Sequence, residues 1–255
     1  MQDLSNFKIF PHCSSGQVHS FFIRSLPIMF VGHFAAGFAA KSFAPKVSLG
    51  TLILAAALPD VLWILFFATG IEQVVIQPRI MVANSLNLVY IPFSHSLLMN
   101  AVWGALFGGV YFLWRRDPRG AWILFAAVLS HWLLDFVSHR PDMPLAPGID
   151  MRFGLGLWNS RLATVIVEGA LWFGGLFLYV RTTRPNKRAG VYVFWSVIVV
   201  LTALWLVSLG GDPPPSLASL AIINTIFFML VEAWAYWMNR IRPARSKMAR
   251  EGVTV

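Results

Sequence analysis

The chain has 255 residues, of which 57% are hydrophobic and 12% charged, with a mean hydropathy of +0.66; an ordinary soluble domain is roughly a quarter charged. That composition excludes a soluble globular enzyme, and it is the reverse of the apolar-poor, charge-rich composition of a disordered chain. The formal charge of +9 reads as Lys and Arg gathered in loops beside a membrane, so no nucleic-acid partner is expected, and the single cysteine, Cys13, excludes an internal disulfide and a cysteine-based zinc knuckle.

Residues 1–28 carry no spanning pattern. Arg24 and Pro27 interrupt the one apolar run and no small-residue cleavage site follows it, so a loosely ordered N-terminal extension is expected in place of a signal peptide, with Met29 a candidate translation start. Seven apolar stretches follow, at approximately 29–44, 48–70, 94–114, 121–139, 161–180, 191–209 and 217–238. Each approaches the roughly 20 residues that a hydrocarbon core about 30 Å thick demands of a helix. The expected fold is all-α: a polytopic transmembrane helical bundle of about seven hydrophobic helices over 29–239, followed by a basic cytoplasmic tail over 240–255. The first stretch is short and rich in small residues, which suits a re-entrant or interfacial helix as well as a span. Gly32 with Ala36 and Gly104 with Gly108 have the small-xxx-small spacing that lets helix backbones approach closely.

Orientation follows from the basic residues. Lys41 and Lys46, the Arg115, Arg116 and Arg119 group, the group from Arg181 to Arg188, and the tail from Arg240 to Arg250 hold 14 of the 20 Lys and Arg. Seven spans place all four groups on one side, which the positive-inside rule makes cytoplasmic, with the C-terminus inside.

An ionisable side chain within a bilayer is costly unless paired, neutralised or turned to a cavity, so each is a site hypothesis. His33, Asp60, His95, His131, Asp135, Glu168 and Glu232 qualify, with His139 at a helix mouth. All but Glu232 fall in the outer half; Glu232 sits near the inner end of the last stretch, where an ion pair with Arg240 and Arg242 is expected. The strongest local signal is the run from Ser130 to His139, in which His131, Asp135 and His139 share one helix face over two turns. Joined by His95, Asp60 and His33, they make a mixed nitrogen and oxygen set suited to zinc, manganese or iron. Glu168 and Asn159 are candidates to orient a ligand from behind. Arg140 and Arg161, near Trp158, are candidates to meet a phosphate, although Arg and Trp at a membrane boundary also anchor to headgroups. The plainer alternative is that these His and Asp residues only hydrogen-bond between helices.

Four blocks of the sequence, Met29 to Gly37, Leu58-Pro59-Asp60, Phe93 to Leu98 and Ser130 to Asp135, resemble in order those of bacterial inner-membrane proteins described as metal-dependent hydrolases, the LexA-binding group. The likeness runs from Met29 to His139. A closer resemblance, continuing through His139-Arg140-Pro141-Asp142 and Gly156 to Ser160, is to uncharacterised multi-pass bacterial membrane proteins, some labelled permeases. The resemblance implies a cell inner-membrane location and His33, Asp60, His95, His131 and Asp135 as metal positions. Where hydrolase-group members carry a second acidic residue after the Pro-Asp, this chain has Val61-Leu62-Trp63; where they carry His-Arg before the His-Ser, it has Ile91-Pro92-Phe93. Those departures argue against a binuclear site.

The expected protein is therefore an integral membrane protein with an outward-facing His/Asp site, holding zinc or manganese through His33, Asp60, His95, His131, Asp135 and His139. Its expected activity is hydrolysis of a phosphoester or lipid-linked substrate, with Asp60 or Asp135 as ligand or base. Two alternatives use the same residues: a transporter or proton relay, and a non-catalytic membrane partner protein.

Overall fold

A computed structural model describes residues 31–210 and 212–245; the extension over 1–28, Met29 and positions 246–255 of the tail lie outside the described residues. Six helices among them are long and apolar enough to cross a membrane: α2 (Leu49–Ala68), α4 (Leu97–Arg115), α5 (Pro118–Ser138), α6 (Arg161–Thr182), α7 (Arg188–Ser208) and α8 (Leu217–Ile241). They are preceded by α1 (Val31–Phe43), whose 13 described residues cover about 20 Å at 1.5 Å per residue. The all-α multi-pass bundle expected from the sequence is thus the observed fold.

Short polar side chains set where these helices begin. The side chains of Ser48, Ser96, Asp117 and Ser160 accept hydrogen bonds from the backbone N–H groups of Thr51, Met99, Gly120 and Ala163, and Ser216 forms a capping box with Ser219. One boundary differs from the sequence reading. Ser96 is extended, at φ −80° and ψ 149°, because it caps α4, and this detaches His95 from the span and leaves it on a separate turn, α3 (Pro92–His95). The loops on that side also fold into two antiparallel pairs that apolar periodicity did not reveal. These are β1 (Gln73–Ile76) with β2 (Leu86–Tyr90), and β3 (Met143–Pro144) with β4 (Arg152–Phe153).

Helix α1 packs between α2 and α6 and touches α5. Val31, Phe34, Ala35 and Phe38 enter a core with Trp172, Leu176 and Tyr179 of α6 and Phe194, Ile198 and Leu201 of α7. Contact is at backbone distance: a Cβ on Gly175 would lie 2.5 Å from the Ala35 carbonyl oxygen, and one on Gly37 would lie 3.0 Å from Ile53. The Gly104 and Gly108 pair works likewise between α4 and α5, a Cβ on Gly108 falling 2.7 Å from the Ala121 carbonyl oxygen. Gly175→Ala is therefore expected to destabilise the protein by about 1–3 kcal/mol through overpacking. Gly174→Ala, where a Cβ meets nothing within 4 Å, should leave the melting temperature in detergent unchanged.

The basic groups collect at one end of the bundle. Lys41 Nζ donates to Asn239 Oδ1 at 2.9 Å, Ser42 meets Thr182 at 2.8 Å, Asn186 donates to the Arg240 carbonyl at 3.2 Å, and Thr183 pairs with Ala244. The β pairs and α3 lie at the other end of the same helices.

Candidate metal centre

Pro59 lies inside α2, where its ring nitrogen has no hydrogen to donate. One turn before Asp60 the Ala56 carbonyl accepts from His131 Nδ1 at 2.8 Å, while Asp60 faces the bundle interior. From α5, His131 and Asp135 stand one turn apart on one face; α1 brings His33 and α3 brings His95. Asp135 is the hub. Its Oδ2 lies 3.2 Å from His131 Nε2 and 3.7 Å from His95 Nε2, and its Oδ1 lies 3.1 Å from His33 Nε2 and 3.9 Å from His139 Nε2. Asp60 Oδ1 lies 3.5 Å from His95 Nε2 and 3.6 Å from His131 Nε2. The His33 and His131 rings stack with centroids 3.7 Å apart.

Two sets among these could hold a metal ion, His33 with Asp60 and His131, and His95 with His131 and Asp135. The proton positions make the chemistry specific. A carbonyl oxygen only accepts, so His131 carries its proton on Nδ1 toward Ala56 and has one nitrogen, Nε2, left to give. The two sets then compete for that nitrogen, so both cannot be filled through His131 at once. His131 Nε2 and Asp135 Oδ2 are both buried without a hydrogen-bond partner although 3.2 Å apart. Buried polar atoms left unpaired are costly, and either a metal cation between them or a second proton on the His131 ring removes the cost. The nitrogen–oxygen separations of His95 and His131 with Asp60 and Asp135 run from 3.2 to 3.7 Å, and the ligand atoms of each three-residue set lie within 4.8 Å of one another.

A cavity of about 60 Å³ adjoins the cluster, lined on its polar side by His33, Asp60, His95, Asp135 and His139. Trp63, Trp158 and the inward-facing Leu86 and Leu88 of β2 form its apolar side. A water needs about 10–15 Å³ on this scale, so the cavity admits a few waters or a small functional group.

The remaining sequence candidates separate here. His139 caps the end of α5, outside both sets. Burial disfavours its charged form, but the Asp142 carboxylate, 3.3 Å from Nδ1, and the charge of Asp135 outweigh burial and leave its pKa above the ordinary histidine value. Glu168 does not orient a histidine: its two oxygens accept from the indoles of Trp158 and Trp205, each at 2.6 Å, and Trp158 in turn packs on the His139 ring at 4.6 Å. Asn159 ends a 3-10 turn over Leu157–Asn159 and donates its backbone N–H to Gly156. It does not line the cavity. Arg140 donates to Asp142 and to Asn87 of β2, and Arg161 to the Leu209 and Gly210 carbonyls at the end of α7. Neither guanidinium lines the cavity. Glu232 corrects an expectation. Its Oε2 is buried without a hydrogen-bond partner, and Arg242 instead donates to Thr183 at 2.9 Å and lies over the Phe194 ring, so the expected cytoplasmic ion pair is not formed.

Residues 28–211 match the YdjM inner membrane protein family. The chain belongs to that family. With six apolar helices of spanning length, this YdjM-family chain is a multi-pass inner-membrane protein, and the matched region holds every member of the His/Asp cluster. No curated protein and no solved structure matches the chain.

Sequence reasoning missed three residues behind the cluster. Glu72, Ser94 and Asp142 are nearly fully buried and contact His95 or His139 directly or through one bond. Asp142 stands three positions after His139, a spacing that could have singled it out. Glu72 carries no such signal, because only the fold-back of the β1–β2 hairpin brings it to α3.

Proposed function

We propose that this chain is a metal-dependent hydrolase of the bacterial inner membrane, holding one zinc or manganese ion and acting on a phosphoester or lipid-linked substrate from the outer side. The observation that carries this reading is the pair of buried atoms, His131 Nε2 and Asp135 Oδ2, facing each other at 3.2 Å without a hydrogen-bond partner, within a set of histidine nitrogens and carboxylate oxygens close enough to share an ion. A divalent cation there supplies a Lewis acid for the scissile group and an acidified water.

The chain's own groups divide the remaining work. His95, His131 and Asp135 hold the cation from fixed positions, and His33 braces Asp135 from its other oxygen. The Asp60 side chain, 30% exposed against 3% for Asp135, is the carboxylate open to the cavity and is placed to take up a proton. Trp63, Trp158, Leu86 and Leu88 exclude bulk water and offer an apolar wall to an alkyl portion of the substrate. Because neither Arg140 nor Arg161 lines the cavity, recognition of a phosphoryl group within it falls to the cation. The cluster lies away from the end of the bundle that gathers Lys41, Lys187 and Arg240, so a cytoplasmic C-terminus places the cavity on the outer side.

Metal analysis of detergent-purified protein is the test. About one divalent ion per chain is expected, absent from His131→Ala, together with metal-dependent cleavage of the chromogenic phosphodiester bis-(p-nitrophenyl) phosphate. Folded wild-type protein that takes up no divalent ion would overturn the reading in favour of a proton relay through the same imidazoles.

A further inference from the structure

We infer that Glu72 and Ser94 form a positioning relay that fixes the proton of His95 on Nδ1 and so turns its Nε2 lone pair toward Asp60 and Asp135; the consequence for metal affinity rests on the reading above. Glu72 follows α2, is 2% exposed, and spends its carboxylate entirely on the turn that carries His95. Its Oε1 accepts from the backbone N–H groups of Phe93 and Ser94, each at 2.8 Å, and its Oε2 accepts from the Ser94 hydroxyl at 2.6 Å. Ser94 Oγ lies 2.7 Å from His95 Nδ1.

The direction of the relay is forced. A serine hydroxyl has one proton. A carboxylate accepting three hydrogen bonds has none to give back, so the proton of Ser94 is committed to Glu72. Ser94 Oγ must then accept from His95, which places the imidazole proton on Nδ1. His131 reaches the same state through the Ala56 carbonyl. In their neutral forms both imidazoles then direct Nε2 at carboxylate oxygens, an arrangement that either a second ring proton or a metal cation relieves and that matches the outer hydrogen bonding of metal-ligating histidines. The turn is also braced from behind, by Trp103 Nε1 on the Phe93 carbonyl at 2.8 Å and by the Asn100 amide on the Ser94 and Ser96 carbonyls. Glu72 is therefore not the sole support of α3, and its substitution can be read without loss of the fold.

Glu72→Gln separates a proton-setting role from a purely structural one. The glutamine amide nitrogen, in place of Oε2, donates to Ser94 Oγ, the hydroxyl proton turns to His95 Nδ1, and the imidazole proton moves to Nε2, where a cation would bind. On protein stripped with EDTA in lipid nanodiscs, the ¹⁵N spectrum of labelled histidine, assigned by its loss in His95→Gln, should show His95 with its proton on Nδ1 in the wild type. It should be on Nε2 in Glu72→Gln and mixed in Ser94→Ala. Zinc affinity should fall about 10–100-fold in both variants and return in Ser94→Thr, which keeps the hydroxyl. A His95 that keeps its proton on Nδ1 in Glu72→Gln overturns the relay, as does a zinc affinity unchanged in both variants. Because the spectrum is recorded without metal, a wild type that binds no zinc sinks the metal reading while the relay is still decided by the tautomer.

Discussion

Replacing Asp135 by the isosteric Asn should abolish divalent-metal binding and metal-dependent hydrolysis, with an affinity loss of at least about a thousandfold, or roughly 4 kcal/mol. Asp135 meets more imidazoles of the cluster than Asp60 does: its two oxygens lie within 4 Å of the imidazoles of His33, His95, His131 and His139. Asn keeps the volume but removes the negative charge and puts an N–H₂ group where an oxygen faced the histidines. Asp60→Asn should cost less, because the Asp60 side chain is partly exposed and meets two imidazoles. Equilibrium dialysis against zinc for the two variants checks the ranking, and equal losses would contradict the placement of Asp135 as the hub.

Chelation should lower the melting temperature of the wild type by about 5–10 °C. A ligand bound to the folded state alone at a hundred times its Kd stabilises by about 2.7 kcal/mol, and each kcal/mol shifts the midpoint of a chain of this size by about 2–4 °C. Adding zinc back should restore the transition, whereas His131→Ala should melt at the chelated temperature with or without zinc. The zinc-dependent increment also has a predictable pH course. Protons compete with the cation for imidazole nitrogen, so the increment is largest at alkaline pH and shrinks as pH falls. A melting curve indifferent to chelator at pH 8 would remove the cation from the account of the fold.

Which of these features the sequence discloses depends on whether the signal is local. His131 and Asp135 stand on one helix face by spacing alone, and apolar length shows the spans. Proximity in sequence misleads for Asn159 and Arg161. They follow Trp158 closely, yet a 3-10 turn and the end of α7 claim their hydrogen bonds. Glu232 and Arg242 fall on one terminal segment, but Thr183 and the aromatic ring of Phe194 take the guanidinium. Glu72 is invisible for the opposite reason: it lies 22 positions before Ser94, and no periodicity joins a loop carboxylate to a turn formed after a hairpin.

The packing of α1 against α6 bears on how the molecule is made. The surface that holds this helix, around Gly175, is synthesised only with α6, after the four helices α2–α5. His33 must therefore wait for Asp135, 102 positions later, and for α6 beyond it before it is fixed in place. The polar cluster closes late in biogenesis, once most of the chain is in the membrane, and a nascent chain cut short before α6 exposes its histidines without the geometry to keep an ion.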